Sequence, residues 1–386
     1  MSWSIPTFRE VQQPAPISLR FWLPSLVAMA LGIAGIVLLL WPHGKPAQGI
    51  RFWALLVGTP FSACALSFGA RLDRWEHEQT IAEEMEREQG RIALLWRVWS
   101  RRHLCVTASC AVFPVSVSAT QIGDAAPGMP LSSGRAKGFP WTNGKLEAWR
   151  RTKLLGVIAH GLRESLAVRQ ELPIKVLIDE ASLENKDAWA AATKDAFSKV
   201  APRCRFTVEV EDVTRCSQFL TQQVNLFSYP SQLVIAAQFW LDNDESPAFS
   251  EGAAALLFDA DSSPRGSFFR PMTALRDKLE TGLQQLSEMQ VNPGTVSRVW
   301  LTGCDDASVD IRSPLTIDPK ASIPERLLDN VLGTPGPASA WIALATALEA
   351  SQGSGPQLVA WREPSSESVH LCLVAPAPAP QKETTV

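Results

Sequence analysis

Apolar positions divide the chain into three stretches of different character. Phe21 to Trp41 is a charge-free run of 21 residues, and Phe52 to Ala70 is a second one of 19. At ~1.5 Å of rise per residue, each predicts a helix close to the roughly 30 Å thickness of a bilayer core. The segment between them, Pro42 to Arg51, is short, so the two helices are expected to form a hairpin. From Arg71 to Arg102, seven arginines and seven acidic residues alternate at spacings such as Glu83–Arg87, which predicts a charged juxtamembrane helix. Beyond residue 104 the period changes again. Short β-branched runs predict strands at 111–118, 174–178, 206–211, 232–237, 253–258, 298–302, 357–361 and 369–374. Amphipathic segments predict helices at 145–169, 184–199, 214–226, 272–290 and 338–350. Such alternation argues for an α/β sheet covered by helices on both faces.

The pattern also repeats. Helix, strand, loop and strand occur at 214–258 and again at 338–374, and "PSQLVIAA" is locally similar to "GPQLVAW". One such repetition predicts two related halves rather than a solenoid. The expected organisation is an N-terminal tail (1–20), a transmembrane hairpin (21–70, with helices 21–41 and 52–70), a charged helix (71–103), a soluble domain (104–376) and a polar tail (377–386). The Gly/Pro-rich stretch 123–144 predicts a surface loop, on which Phe139, Pro140 and Trp141 are expected as exposed aromatic anchors for a partner.

Composition changes this picture in two ways. Fourteen tryptophans stand against one tyrosine, and Trp22, Trp41 and Trp53 lie at the ends of the apolar runs, where membrane interfaces favour indoles. "WPHGKPAQGIR" after the first run is not a signal-peptide cleavage region. Arginines flank the hairpin more densely than its connection, which places both termini and the soluble domain in the cytoplasm. Seven cysteines without paired spacing suit a reducing compartment, and five scattered histidines give no zinc frame. A net charge of −3 gives no reason to expect nucleic acid. P-loop, GxGxxG, GxSxG and HExxH patterns do not occur, so neither metal nor cofactor is expected.

Chemistry therefore has few candidates. Cys216, in "TRCSQFL", stands at a predicted helix start, where the dipole would stabilise a thiolate. His370 and Cys372 alternate on a predicted strand and share a face, either as packing residues or as a catalytic pair. His160 falls within a helix, as a packing or surface residue. Asp305, Asp306 and Asp310 read as a solvated loop without the frame of a calcium site.

Three stretches resemble landmarks of the thiolase-like folds, which include the β-ketoacyl synthases. "TRCSQFL" resembles the nucleophile turn and its helix, "FSEGAAALLF" resembles the strand closing the first half, and "GTPGPASAWIALATALEA" resembles the loop and helix of the second half. The resemblance spans roughly 104–376 and implies a duplicated α/β/α/β/α layered domain. It matches the family's nucleophile position to Cys216. Where the family carries a His or Asn before the second-half helix, this chain has Thr334 followed by Pro335, neither suited to acid–base work. Gly333, Thr334, Pro335 and Gly336 are accordingly expected as a degenerate active-site loop. The whole chain is similar to the adaptor family encoded beside type VI secretion lipase effectors. That similarity implies a non-catalytic protein of the bacterial inner membrane that recognises a lipase effector and presents it to the secretion spike. Two alternatives stay open: a membrane-bound acyl-transfer enzyme using Cys216, and a homo-oligomeric structural subunit of a membrane complex.

Overall fold

The architecture is that of a computed structural model, which describes residues 3–42, 49–132, 134–142, 144–226, 229–242, 247–260, 262–291, 295–315, 323–351, 354–363 and 366–377. The tail expected at 377–386 lies outside the described residues apart from Ala377. Two compact units are present, one of residues 6–95 and a larger one that unites residues 1–5 with 96–386.

The smaller unit is a pair of antiparallel helices. α1 (Leu19–Leu40) packs on a second helical stretch built from α2 (Ile50–Trp53), a π-helical turn (Ala54–Gly58) and α3 (Thr59–Ser100). Trp22 meets Phe68 edge-on at 6.1 Å, and at the other end Trp41 meets Phe52 at 5.0 Å. Between these contacts the Cys64 thiol donates to the carbonyl of Leu26 at 3.4 Å. Pro60 lacks an N–H and would break a regular helix; the preceding π turn absorbs it, and the Thr59 hydroxyl satisfies the carbonyl of Leu55 at 2.5 Å. No residue of α1 is buried, and Leu31, Leu39, Phe61 and Leu66 all point outward. Both helices are long and apolar enough to cross a membrane. The sequence divides the second apolar run from the charged helix at residue 70. The structure makes them one continuous helix, because no proline or capping residue interrupts Gly69–Ala70–Arg71. On its charged part Arg87 pairs with Glu83 (3.7 Å) and Glu84 (2.8 Å), and Arg91 with Glu88 (2.6 Å), all in solvent.

Among the described residues the larger unit forms one sheet of eleven strands. They are β1 (His103–Val112), β2 (Glu171–Ile178), β3 (Arg205–Asp212), β4 (Gln232–Gln238), β5 (Gly252–Phe258), β6 (Gly266–Phe269), β7 (Met272–Leu275), β8 (Arg298–Thr302), β9 (Glu325–Leu327), β10 (Gln357–Arg362) and β11 (Ser368–Pro376). The first five lie in the order β3-β2-β4-β5-β1, with β2, β3 and β4 parallel and β5 reversed. The remainder follow the same path: β9-β8-β10-β11, then β6 and β7, again with three parallel strands and a reversed fourth. The halves meet edge to edge where His103–Val106 of β1 pairs with Gly266–Phe269 of β6. The duplication expected from the sequence is therefore a duplication of topology.

Nine helices accompany the sheet among the described residues: α4 (Ala119–Gly123), α5 (Glu147–Gly161), α6 (Arg163–Ala167), α7 (Lys186–Val200), α8 (Cys216–Asn225), α9 (Leu279–Met289), α10 (Ser308–Arg312), α11 (Asp329–Leu332) and α12 (Ser339–Glu349). Strand periodicity assigns them to layers. Leu233, Ile235 and Ala237 of β4 face α5 and α7, whereas Val234 and Ala236 face α8 and α12. In the second half Leu358 and Ala360 of β10 face α9, and Val359 and Trp361 face the same α8 and α12. Two helices thus lie between the two sheet halves, and α12 has nine of its eleven residues buried. β1 serves both halves through an irregularity between Val106 and Ala108. Before it Leu104 and Val106 face the central helices; after it Ala108 faces the outer layer, since one extra residue reverses the alternation.

Two expectations are corrected. The strand expected at 111–118 runs instead over His103–Val112, because Pro114 cannot join a ladder and the half-polar "HLCVTASCAV" alternates correctly. The helix expected over 272–290 begins only at Leu279; Met272–Leu275 is β7, pinned to β11. β6 and β9 are too short to stand out by period. The central helix α12, buried from Ala340 to Leu348, gives a direct test. Ala345→Leu should lower stability by about 1–3 kcal/mol through overpacking, read as a lower denaturation midpoint with an unchanged m-value.

Candidate functional site

Each central helix starts against the opposite half. α8 begins after a tight turn in which Asp212 accepts from the Thr214 N–H (3.1 Å) and hydroxyl (2.6 Å), and Arg215 adopts a left-handed conformation at φ 71°. That geometry turns Cys216 inward. Its thiol is buried, and burial pushes its pKa well above the usual thiol range, with Glu363 and Cys372 adding to the rise. This corrects the expectation of a dipole-stabilised thiolate: desolvation outweighs the helix terminus. Glu363 lies one residue beyond β10, its carboxyl beside the backbone amide of Ser217, the residue after Cys216. Burial raises the pKa of Glu363, and the Ser217 amide opposes the rise.

Around this helix start the sheet aligns further polar groups. His370 of β11 lies opposite Trp361 of β10 and Thr273 of β7. The Thr273 hydroxyl is 2.9 Å from His370 Nδ1 and 3.3 Å from Ser217 Oγ, and the Trp361 ring stacks on the imidazole at 5.5 Å. His370 Nε2 is 3.9 Å from Glu363. Burial lowers the His370 pKa to about 4, so the ring is neutral near pH 7. Cys372 sits on the same strand face, as its alternation with His370 predicts, with its thiol on the carbonyl of Phe269 at 3.3 Å.

The start of α12 answers this arrangement. The Ala338 N–H donates to Gln238 Oε1 at 2.9 Å, and Gln238 Nε2 donates to the Ser250 carbonyl at 2.6 Å. Aligned from their first residue, "QLVIAAQ" and "QLVAWRE" place Gln238 and Glu363 at the same position of the repeat. Each half thus brings a polar side chain, from the end of β4 or just after β10, to the start of a central helix of the other. The local similarity of the two stretches was the available signal for both residues. Thr273 and Ser217 have no comparable sequence signal.

The loop Gly333–Gly336 is stitched into place. The Thr334 carbonyl accepts from Ser250 N–H (2.9 Å), and its hydroxyl donates to the Gly134 carbonyl (3.1 Å). Gly333 has φ +96°, and a Cβ there would strike Ser250 Oγ and the Arg135 carbonyl, so only glycine fits. Next to this loop is a cavity of about 20 Å³ lined by Gln238, Ser250, Thr302, Asp329, Thr334 and Ile342. That volume holds about one water molecule.

Phe139 is not an exposed anchor: it is 1% exposed, stacked on Trp141 at 4.8 Å. Its N–H donates to Glu251 (2.8 Å), whose fully buried carboxylate also meets the Arg150 guanidinium at 3.0 Å. This buried pair draws the loop inward. Pro140 remains exposed and Trp141 half-buried. His160 is exposed on α5. Asp306 pairs with Arg276 (2.9 Å) and Arg362 (3.0 Å), and Asp310 with Arg276 at 3.8 Å.

No protein-family model matches the sequence, and neither does any curated protein. Solved structures similar to the chain include the acyltransferase ChlB3, at 12% identity over 71% of this chain and 98% of that one, with a TM-score of 0.46. A chain from the type II PKS complex AntDE:AntF, an acyl-carrier protein with its ketosynthase, matches at 13% identity over 72% of this chain and all of that one, at 0.48. The peroxisomal 3-ketoacyl-CoA thiolase of Saccharomyces cerevisiae matches at 10% identity over 72% and 98%, at 0.45. These neighbours have thiolase- and ketosynthase-like folds. Strand order and core clusters establish the duplicated layout of this chain independently.

Two measurements test the site. Glu363→Gln keeps a polar side chain beside the Ser217 amide and should leave stability within about 0.5 kcal/mol, whereas Glu363→Ala should cost about 1 kcal/mol, the order of a lost helix cap. His370 is depressed when folded, so its contribution is complete above pH 6.5 and is lost as pH falls toward 4. Buried carboxyls with raised values, Glu251 and Asp329 among them, act in the opposite sense, so the comparison must be between variants. Over that window wild type should lose up to about 3 kcal/mol more than His370→Gln; equal slopes would refute the assignment.

Proposed function

We propose that the protein is a membrane-anchored, non-catalytic binding module whose thiolase-like domain recognises another protein. The observation carrying this reading is the state of the two helix starts. One holds a buried, high-pKa thiol and the other a water-sized cavity beside Thr334 and Pro335. Neither offers room for an acyl group or a base poised beside a nucleophile. The partner implied by the chain's resemblance is a secreted lipase effector, to be presented to a secretion spike.

The anchor is the α1–α3 hairpin, and its topology has support from the amino end. Trp3 is buried in the larger unit, edge-on to Trp99 at 5.5 Å, within the cluster that includes α9. Chain preceding the first apolar helix and chain following the second therefore share one core. That supports two crossings with both ends in one compartment, and it disfavours a cleaved signal, which would remove Trp3. The positive-inside count favours the cytoplasm for that compartment, and the chain's resemblance implies the bacterial inner membrane.

Full-length protein in detergent, co-expressed with the lipase effector, should yield a stable complex that Cys216→Ser leaves intact. Incubation with an acyl thioester or iodoacetamide should leave native Cys216 unmodified in the intact-mass spectrum. A stoichiometric adduct that disappears in Cys216→Ser would establish the enzyme reading instead, and failure to form the complex would overturn the adaptor reading.

A further inference from the structure

At the carboxyl end of α8, opposite the site just described, Val98, Arg101, Arg102, His103, Asn225 and Leu226 line an open basin of about 430 Å³, which Val224 and Tyr229 complete. Its lining carries two arginines and a histidine and no carboxylate, in a protein of net charge −3. Among the described residues, neither Arg101 nor Arg102, just past the end of α3, forms an ion pair, whereas Arg74, Arg87 and Arg91 within that helix do; Arg101 Nε donates to the Met289 carbonyl at 3.0 Å.

Behind the basin lies a third arginine. Arg270 is 1% exposed, and its guanidinium rests on the Trp99 ring at 3.9 Å. Its Nε donates to the carbonyl of Trp99 (3.1 Å) and its Nη2 to Asn225 Oδ1 (2.8 Å), while Nη1 has no partner among the described residues. Burial and then the charge of Arg102 lower its pKa to about 10, so the group remains a cation. A guanidinium has no acceptor atoms, so Asn225 must turn its oxygen to Arg270. That fixes the orientation of the amide and leaves its two Nδ2 hydrogens for the basin.

We propose that this basin binds a phosphate group, held by Arg101, Arg102 and the Asn225 amide, with Arg270 as the positioning residue. Convergent donors of this kind, without a competing carboxylate, match the acceptor oxygens of a phosphate. Val98 and Leu226 give the rim an apolar side, so the phosphate is carried either by a lipid headgroup or by a soluble ligand.

Full-length protein in neutral-detergent micelles should be titrated with pyrophosphate by calorimetry and with phosphatidylglycerol by native mass spectrometry. Saturable 1:1 binding of either probe is expected, weakening as salt rises. Arg102→Ser, at an exposed position, and Asn225→Asp, which keeps the Arg270 contact but reverses the outward dipole, should each weaken it roughly tenfold or more. Retention of phosphatidylglycerol alone assigns the site to a lipid headgroup, and pyrophosphate binding alone to a soluble ligand. Failure of both probes to saturate, or binding indifferent to both substitutions in protein with unchanged tryptophan fluorescence, overturns the proposal.

Discussion

The starts of two central helices are the constraint on which this domain is organised. α8 and α12 lie between sheet halves, where a first-turn N–H left unmet costs a full desolvation penalty. Each half brings a side chain to the other's helix from the same repeat position: Gln238 accepts from the Ala338 N–H at α12, and Glu363 stands beside the Ser217 amide of α8. The edge pairing of β1 with β6 and the face reversal within β1 then follow as the means of carrying one sheet past both helices.

The same arrangement sets the surroundings of the two helix starts. A helix amino end attracts anions and activates thiols when it is open. At α8 the Glu363 carboxyl already stands beside the first turn, and the thiol is shut inside. At α12 an uncharged amide fills the role, and glycine backbone packs where a side chain would otherwise stand. Ser217, Thr273, His370 and Glu363 line a polar seam between the halves, with Ser217 and His370 buried and Thr273 and Glu363 partly exposed.

Much of this was legible in the sequence, for physical reasons that differ by element. Strands buried on both faces, such as "QLVIAA" and "AAALLF", are continuous apolar runs and stand out. So do the charge-free helices. β6, β7 and β9 are only three or four residues long, and their pairing is imposed by neighbours distant in sequence. Phe139 departs from its sequence context, because a Gly/Pro-rich segment normally runs over the surface. Nothing local announces that Glu251, 112 residues away, will draw its backbone inside. Cys216 was rightly placed at a helix start, but burial is a tertiary property that the motif does not carry.

The position of Trp3 makes the apolar hairpin an insertion in the larger unit. Trp3 stands before α1 in the sequence and belongs to one core cluster with Leu283 and Leu286 of α9. The second half of the domain therefore draws its core from both sides of the hairpin, so a cut in the hairpin connection would separate two segments that packing still holds together.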